Sequence, residues 1–309
     1  MSFEIQITAI ALFEEVTLKD TSNGNSIKIC TKGGILNEWI VGGKKSIING
    51  NDFNKGWGNF EMNGFKSGKM SPFSCRLEMG QYQHLDQAYT IEKFYLCEHA
   101  LHGILYDAVY TIASTQVTSD SASVLLVHHY QGTDKGYPFP YTIHLEWIIK
   151  INNIVTVKTT IMNQHDQAIP IMDGWHPYFT LGAKVNEYKL QFKNKGRIEY
   201  NQYLLPTGKI IEDNTFNESS KISELHLDDC WLIDEQSPSC TIQYENEKII
   251  VRPESNYPYL QIYTPDDRMS IAIENLSAAP NCFNNKMGLH ILKPQENWEL
   301  ATSYQYFID

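Results

Sequence analysis

The sequence predicts an all-β fold, a sandwich or a barrel, on three observations. Aromatic residues are abundant, with 18 Tyr, 13 Phe and 6 Trp, and such side chains suit a pleated, half-buried surface. Apolar residues alternate with period two over many short runs, and turn residues recur about every 8–12 positions. Strand-like runs come in order at Ser26–Cys30, Glu38–Val41, Tyr89–Phe94 and Val124–Tyr130. From Tyr141 to Met162, Ile143, Leu145 and Trp147 share one face, and Val155, Val157, Thr159 and Ile161 continue it beyond Asn152-Asn153. This pattern predicts a hairpin with a two-residue turn, because Asn tolerates positive φ. Lys189–Phe192 follows, and two further hairpins are expected at Thr241–Arg252, turning at 245–247, and at Tyr259–Glu274, turning at 265–267. The best helical candidate is a turn or two around Glu218–Leu225.

A chain of 309 residues has a soft prior near two domains. No repeat, low-complexity tract or linker divides it, so one β domain spanning residues 1–309 is expected. With 42% hydrophobic residues a large core is available. The net charge of −11 and the lack of a basic run argue against nucleic acid or an anionic membrane surface as partner. The six cysteines are scattered without a CxxC pair, which reads as reduced thiols rather than a disulfide framework or zinc site. The apolar segment Ile5–Phe13 is preceded by Glu4 rather than a basic residue and followed by Glu14-Glu15, unlike a signal peptide. No apolar run reaches the ~18 residues of a membrane span. The expectation is a soluble cytoplasmic protein; its oligomeric state is not legible.

Titratable residues interrupt apolar or aromatic text in five places. These are Arg76 in SPFSCRLEMGQY, His102 before Gly103 in LHGILYD, His176 in DGWHPYFTLG, Asp228-Asp229 in HLDDCWLID, and Glu296 after Pro294 in ILKPQENWEL. Each alone reads as a structural histidine, a surface arginine, a turn or a loop glutamate. Together, a carboxylate and a histidine among aromatic rings can form an acid/base pair in a dry cleft. Arg, Asp and a second His can hold hydroxyls through charge-assisted hydrogen bonds. No GxSxG, P-loop or metal-ligand spacing competes. The residues alone reach an acid/base enzyme handling a sugar.

At these segments, in order from about Gly33 to Phe307, the chain resembles the aldose 1-epimerase (galactose mutarotase) family. SPFSCRLEMGQY resembles its Arg-containing strand, HGILYD its His-Gly segment, WHPYFTLG its His-Pro-Tyr-Phe run, and LDDCWLI its Asp-x-x-aromatic segment. NCFNNKMGLHILKPQE resembles the stretch ending in Pro-Gly-Glu. The resemblance implies a large antiparallel β-sandwich, a free aldohexose as substrate, and no metal or cofactor. It implies Glu296 as the base at the anomeric O1 hydroxyl and His176 as the acid at the ring oxygen, their mutual attraction keeping both charged. Arg76, His102 and Asp228 bind the sugar, and His102 can also steady charge at the ring oxygen. Three departures stand out: Gln295 replaces the usual glycine, Tyr106 stands where many relatives have a basic residue, and two adjacent aspartates should face opposite ways. Asp228 is assigned to the site because Trp231 then takes the aromatic position. Two alternatives remain. A hexose-6-phosphate 1-epimerase would need a basic cluster, for which Lys66 and Lys69 are available. A non-catalytic carbohydrate-binding protein would need neither Glu296 nor His176.

Overall fold

The structure is a computed structural model that describes residues 2–308 except 11–12, 54–56, 58–59, 235 and 237–238. It is an all-β sandwich built from antiparallel ladders. Among the described residues one sheet has nine strands, in the order Thr111–Val117, Ser121–Tyr130, Tyr141–Lys150, Ile154–Asn163, Asn297–Ile308, Glu247–Ser255, Cys240–Tyr244, Lys189–Phe192 and Ser220–Lys221. A second runs Pro206–Ile211, Asn194–Tyr200, Asp228–Ile233, Tyr259–Tyr263, Ile271–Leu276, Gly174–Trp175 and Lys69–Met70, with Tyr178–Phe179 also paired to Ile271–Leu276. Five strands between Phe3 and Ser46 form a separate meander.

Sequence alternation accounts for the large sheet. Ile143 lies opposite Ile161, Leu145 opposite Thr159, and Trp147 opposite Val157, and all six are buried. Cross-strand partners share a face, so this row forms one wall of the core. The turn differs from expectation. Lys150 pairs with Ile154, leaving the three residues Ile151, Asn152 and Asn153, of which both asparagines take positive φ. The two asparagines thus adopt the backbone expected of them, while Ile151 drops out of the ladder and lengthens the turn by one residue. The second hairpin turns at Glu245-Asn246, with Tyr244 opposite Glu247. The third is a longer connection, because Tyr263 pairs with Ala272.

Two further expectations are corrected. Glu218–Leu225 contains no helix; Ser220–Lys221 is a short edge strand, Ser223-Glu224 form a turn, and the rest is irregular. Its polar text lacks an apolar stripe long enough to hold a helix against the core. In Tyr89–Phe94 the strand ends at Thr90, where the main chain leaves to bond elsewhere: Asp134 accepts from the backbone N–H groups of Glu92 and Lys93.

Candidate active site

The seven-strand path of the second sheet supplies the floor of a cleft of about 330 Å³. Register decides which side chains line it. Asp228 lies opposite Tyr263 and Gln261 opposite Glu274. With period-two alternation all four therefore project from one face, and all four line the cleft. Asp229 points the other way, where Arg197 Nη1 donates to its carboxylate at 2.7 Å. Asp228 accepts a 2.8 Å bond from Gln261 Nε2 and lies 4.0 Å from Arg76, while Tyr200 donates to Gln261 Oε1. Burial raises the Asp228 carboxyl, and Arg76 opposes that shift.

His176 enters from the connection between strands Gly174–Trp175 and Tyr178–Phe179. Its backbone N–H donates to Gly68 and its carbonyl accepts from Ser67, fixing the main chain at both ends. The ring stacks on Tyr178 with centroids 4.9 Å apart and meets His102 edge to face at 5.0 Å. Its Nε2 lies 3.4 Å from Glu274 Oε1. Glu274 occupies a strand whose every residue is buried. His176 Nδ1 and Glu274 Oε2 have no hydrogen-bond partner, though both are buried.

Burial acts on both members of this pair. Burial pulls the His176 imidazole down to about 4 and lifts the Glu274 carboxyl well above its usual range, aided by the nearby Asp228 charge. Desolvation disfavours both ions. A neutral acid beside a neutral imidazole carries the same proton count as carboxylate beside imidazolium. The two states differ only by the position of one proton between the two groups.

Arg76 and His102 reach the cleft from the paired strands Arg76–Leu77 and His99–Leu101. Gly103 must follow His102, because φ is +76° and a Cβ there would stand 2.3 Å from the Ser71 carbonyl oxygen. Phe65, Phe94, Leu101 and Leu204 add apolar walls.

Glu296 is not part of this arrangement. It follows the Pro294-Gln295 turn that feeds strand Asn297–Ile308, and its Oε2 accepts from the Lys293 backbone N–H at 2.8 Å. Gln295 takes the positive φ, +60°, that the expected glycine would have supplied. The carboxylate facing His176 is Glu274, which the motif reading passed over. A usable signal existed: an acidic residue on the Ala272-Glu274-Leu276 face of an apolar strand. Lys69 also departs from its reading as a phosphate ligand. It is fully buried beneath the floor, paired with Asp173, and set 4.2 Å from the Trp175 ring centroid. Lys66 donates to Asn49. Among the described lining residues Arg76 is the single lysine or arginine, beside the carboxyl residues Glu61, Asp228 and Glu274. No group of three or more His, Cys, Asp or Glu side chains among the described residues is arranged to hold a metal ion, and no described helix is long and apolar enough to cross a membrane.

The family model for aldose 1-epimerases matches residues 14–305. The chain belongs to the aldose 1-epimerase family. It is 25% identical over 232 residues to YihR of Escherichia coli K12, an uncharacterized protein, covering 72% of this chain and 73% of that one. Among solved structures it is similar to a galactose mutarotase-like protein from Clostridium acetobutylicum, with TM-score 0.86, 17% identity, and 100% and 99% of the two chains covered. A galactose 1-epimerase from Lactobacillus acidophilus NCFM gives TM-score 0.86 and 17% identity, with 99% of each chain covered. At these identities the structural likeness of this epimerase-family chain concerns the fold.

Proposed function

We propose that the protein interconverts the α and β anomers of a free aldohexose, with Glu274 as base and His176 as acid. The observation that carries this reading is the buried Nε2–Oε1 approach of 3.4 Å inside a cleft also lined by Arg76, His102, Asp228 and Gln261. Glu274, as carboxylate, takes the proton from the O1 hydroxyl. The O1 electrons form the C1 carbonyl, the bond from C1 to the ring oxygen breaks, and His176 delivers its proton to that oxygen. Rotation about C1–C2 presents the opposite carbonyl face, and the same steps in reverse close the ring. A carboxyl lifted above its ordinary range is a stronger base once ionised, and the pair regains its starting proton count at the end of each cycle. Arg76, Asp228 and His102 orient the hydroxyls through charge-assisted and neutral hydrogen bonds.

The charge of the lining favours a free sugar over a sugar phosphate, since Lys69 is sealed beneath the floor. A purely carbohydrate-binding protein would gain little from burying an acid–base pair that leaves His176 Nδ1 and Glu274 Oε2 without partners, each costly to leave unpaired. The test is polarimetry on freshly dissolved α-glucose and α-galactose in a non-catalysing buffer. Wild type should accelerate the decay and Glu274→Gln should not. No acceleration of either sugar by wild type would overturn the reading.

A further inference from the structure

We propose that His102 works solely as a neutral hydrogen-bond donor through Nε2, its tautomer locked by a reciprocal main-chain clamp with Cys75. This inference rests on the mutarotase reading for its catalytic meaning, and on geometry for the lock. The His102 backbone N–H donates to the Cys75 carbonyl at 3.1 Å, and the Cys75 backbone N–H donates to His102 Nδ1 at 3.3 Å. An atom that accepts a backbone N–H cannot carry a proton, so the single imidazole proton resides on Nε2. Both residues hold left-handed backbone, φ +52° at Cys75 and +59° at His102, a conformation that costs about 1 kcal/mol or more per residue and persists where the surroundings enforce it.

The local ladder explains the enforcement. Only Leu77 with Ala100 and Arg76 with Leu101 pair as strand residues. The Cys75–His102 exchange closes one end of this short ladder. The other end is closed in kind, with Met79 donating its backbone N–H to His99 Nδ1 at 3.1 Å. Arg76 lies inside the clamp, so one device aims two sugar-facing groups.

The two cleft histidines therefore divide the work. Phe65 packs edge-on against the His102 ring at 4.8 Å and the backbone holds its Nδ1. His176 Nδ1 has no partner and its Nε2 faces a carboxyl, leaving that ring free to gain and lose a proton. Burial together with the His176 and Arg76 charges holds the His102 imidazole well below its usual range, in keeping with a ring that stays neutral. His102 then acts as a fixed dipole toward an oxygen of the sugar, a donor needing no reorganisation during the reaction.

The test uses full-length protein with its ten histidines labelled with ¹⁵N in the rings, His102 being assigned by the signal lost in His102→Asn. Long-range ¹H–¹⁵N spectra at neutral pH should show the His102 proton on Nε2 and an unprotonated, hydrogen-bonded Nδ1. A proton on Nδ1, or on both nitrogens, overturns the lock. Two variants separate donor from clamp. In His102→Asn the amide oxygen can still accept from Cys75, but no donor reaches the Nε2 position. In His102→Gln the amide N–H₂ reaches that position and the clamp is lost. His102→Asn should lose about 10²-fold or more in kcat with its melting behaviour retained. His102→Gln should recover most of kcat while KM rises. Equal kcat losses in both would overturn the donor role. Should wild type accelerate no sugar, the mutarotase reading fails, while the spectra still decide the lock.

Discussion

Two buried acid–base pairs lie within a few residues of each other and have opposite fates. Lys69 and Asp173 sit beneath the cleft floor, where the Asp173 Oδ2 atom receives both Lys69 and, at 2.7 Å, the Tyr257 hydroxyl. Lys69 also reaches Thr159 Oγ1 and faces the Trp175 ring. His176 and Glu274, attached to the same stretch of sheet, meet at 3.4 Å and leave one polar atom each without a partner. Asp173 has one such atom as well, Oδ1, but it is fully buried and does not line the described cleft. The difference is access together with under-satisfaction. A pair wrapped by donors and packing braces the fold, whereas one opening on a cleft with spare hydrogen-bonding capacity is equipped to serve a ligand.

The comparison breaks most sharply at Glu274. Glu274→Gln keeps size and hydrogen bonding but cannot take a proton, so kcat should fall by ~10²–10⁴-fold with thermal stability near wild type. Polarimetry and a melting curve on one preparation check both halves. A variant that stays active would return the pair to the structural class. Lys69→Met should do the reverse. Removing one partner of a buried pair typically costs about 3–5 kcal/mol, because the remaining charge is stranded. Urea midpoints should drop accordingly, while kcat per folded molecule changes little.

Smaller, and specific to the open pair, is a dependence on acidity. Unfolded histidine takes up a proton near 6.5 while folded His176 waits until about 4. Between those values the unfolded chain binds one more proton at this site, so His176 by itself makes stability fall as pH falls through that window. Glu274, its carboxyl lifted in the fold, pulls the other way. In His176→Asn the fall across the same window should be shallower by that one group. Denaturant midpoints measured at several pH values for both proteins give the difference directly.

Much of this was legible in the sequence, for reasons that differ by residue. The alternation in Tyr141–Lys150 is local, so its strand and buried face follow from period two alone. His102, His176, Arg76 and Asp228, all of which the fold brings to one cleft, interrupt apolar or aromatic text, with Gly103 after His102, Pro177 after His176 and Trp231 three positions after Asp228. Glu274 did not announce itself, because its partner residues are long-range. Gln261 faces it only through a register set by the seven-residue connection from Thr264 to Ser270, and His176 arrives from a segment about a hundred positions earlier. Lys69 misled for the same reason. Its polar neighbours in KSGKMSP suggest a surface, and only the tertiary fold seals it in.

The smallest expected effect is at Glu296, and its smallness sharpens the comparison. This carboxylate accepts the Lys293 N–H while its own backbone N–H donates to the Lys293 carbonyl at 3.0 Å, closing the turn around Gln295. Glutamine can accept the same bond through its amide oxygen. Glu296→Gln should therefore leave kcat within about twofold and cost at most about 1 kcal/mol of stability, the worth of one weakened hydrogen bond. Run beside Glu274→Gln in the same polarimeter, it separates two glutamates of identical chemistry by position alone. A large loss of activity at Glu296 would mean that a surface turn reaches the reacting sugar, and the assignment of the base to the strand Ile271–Leu276 would fall with it.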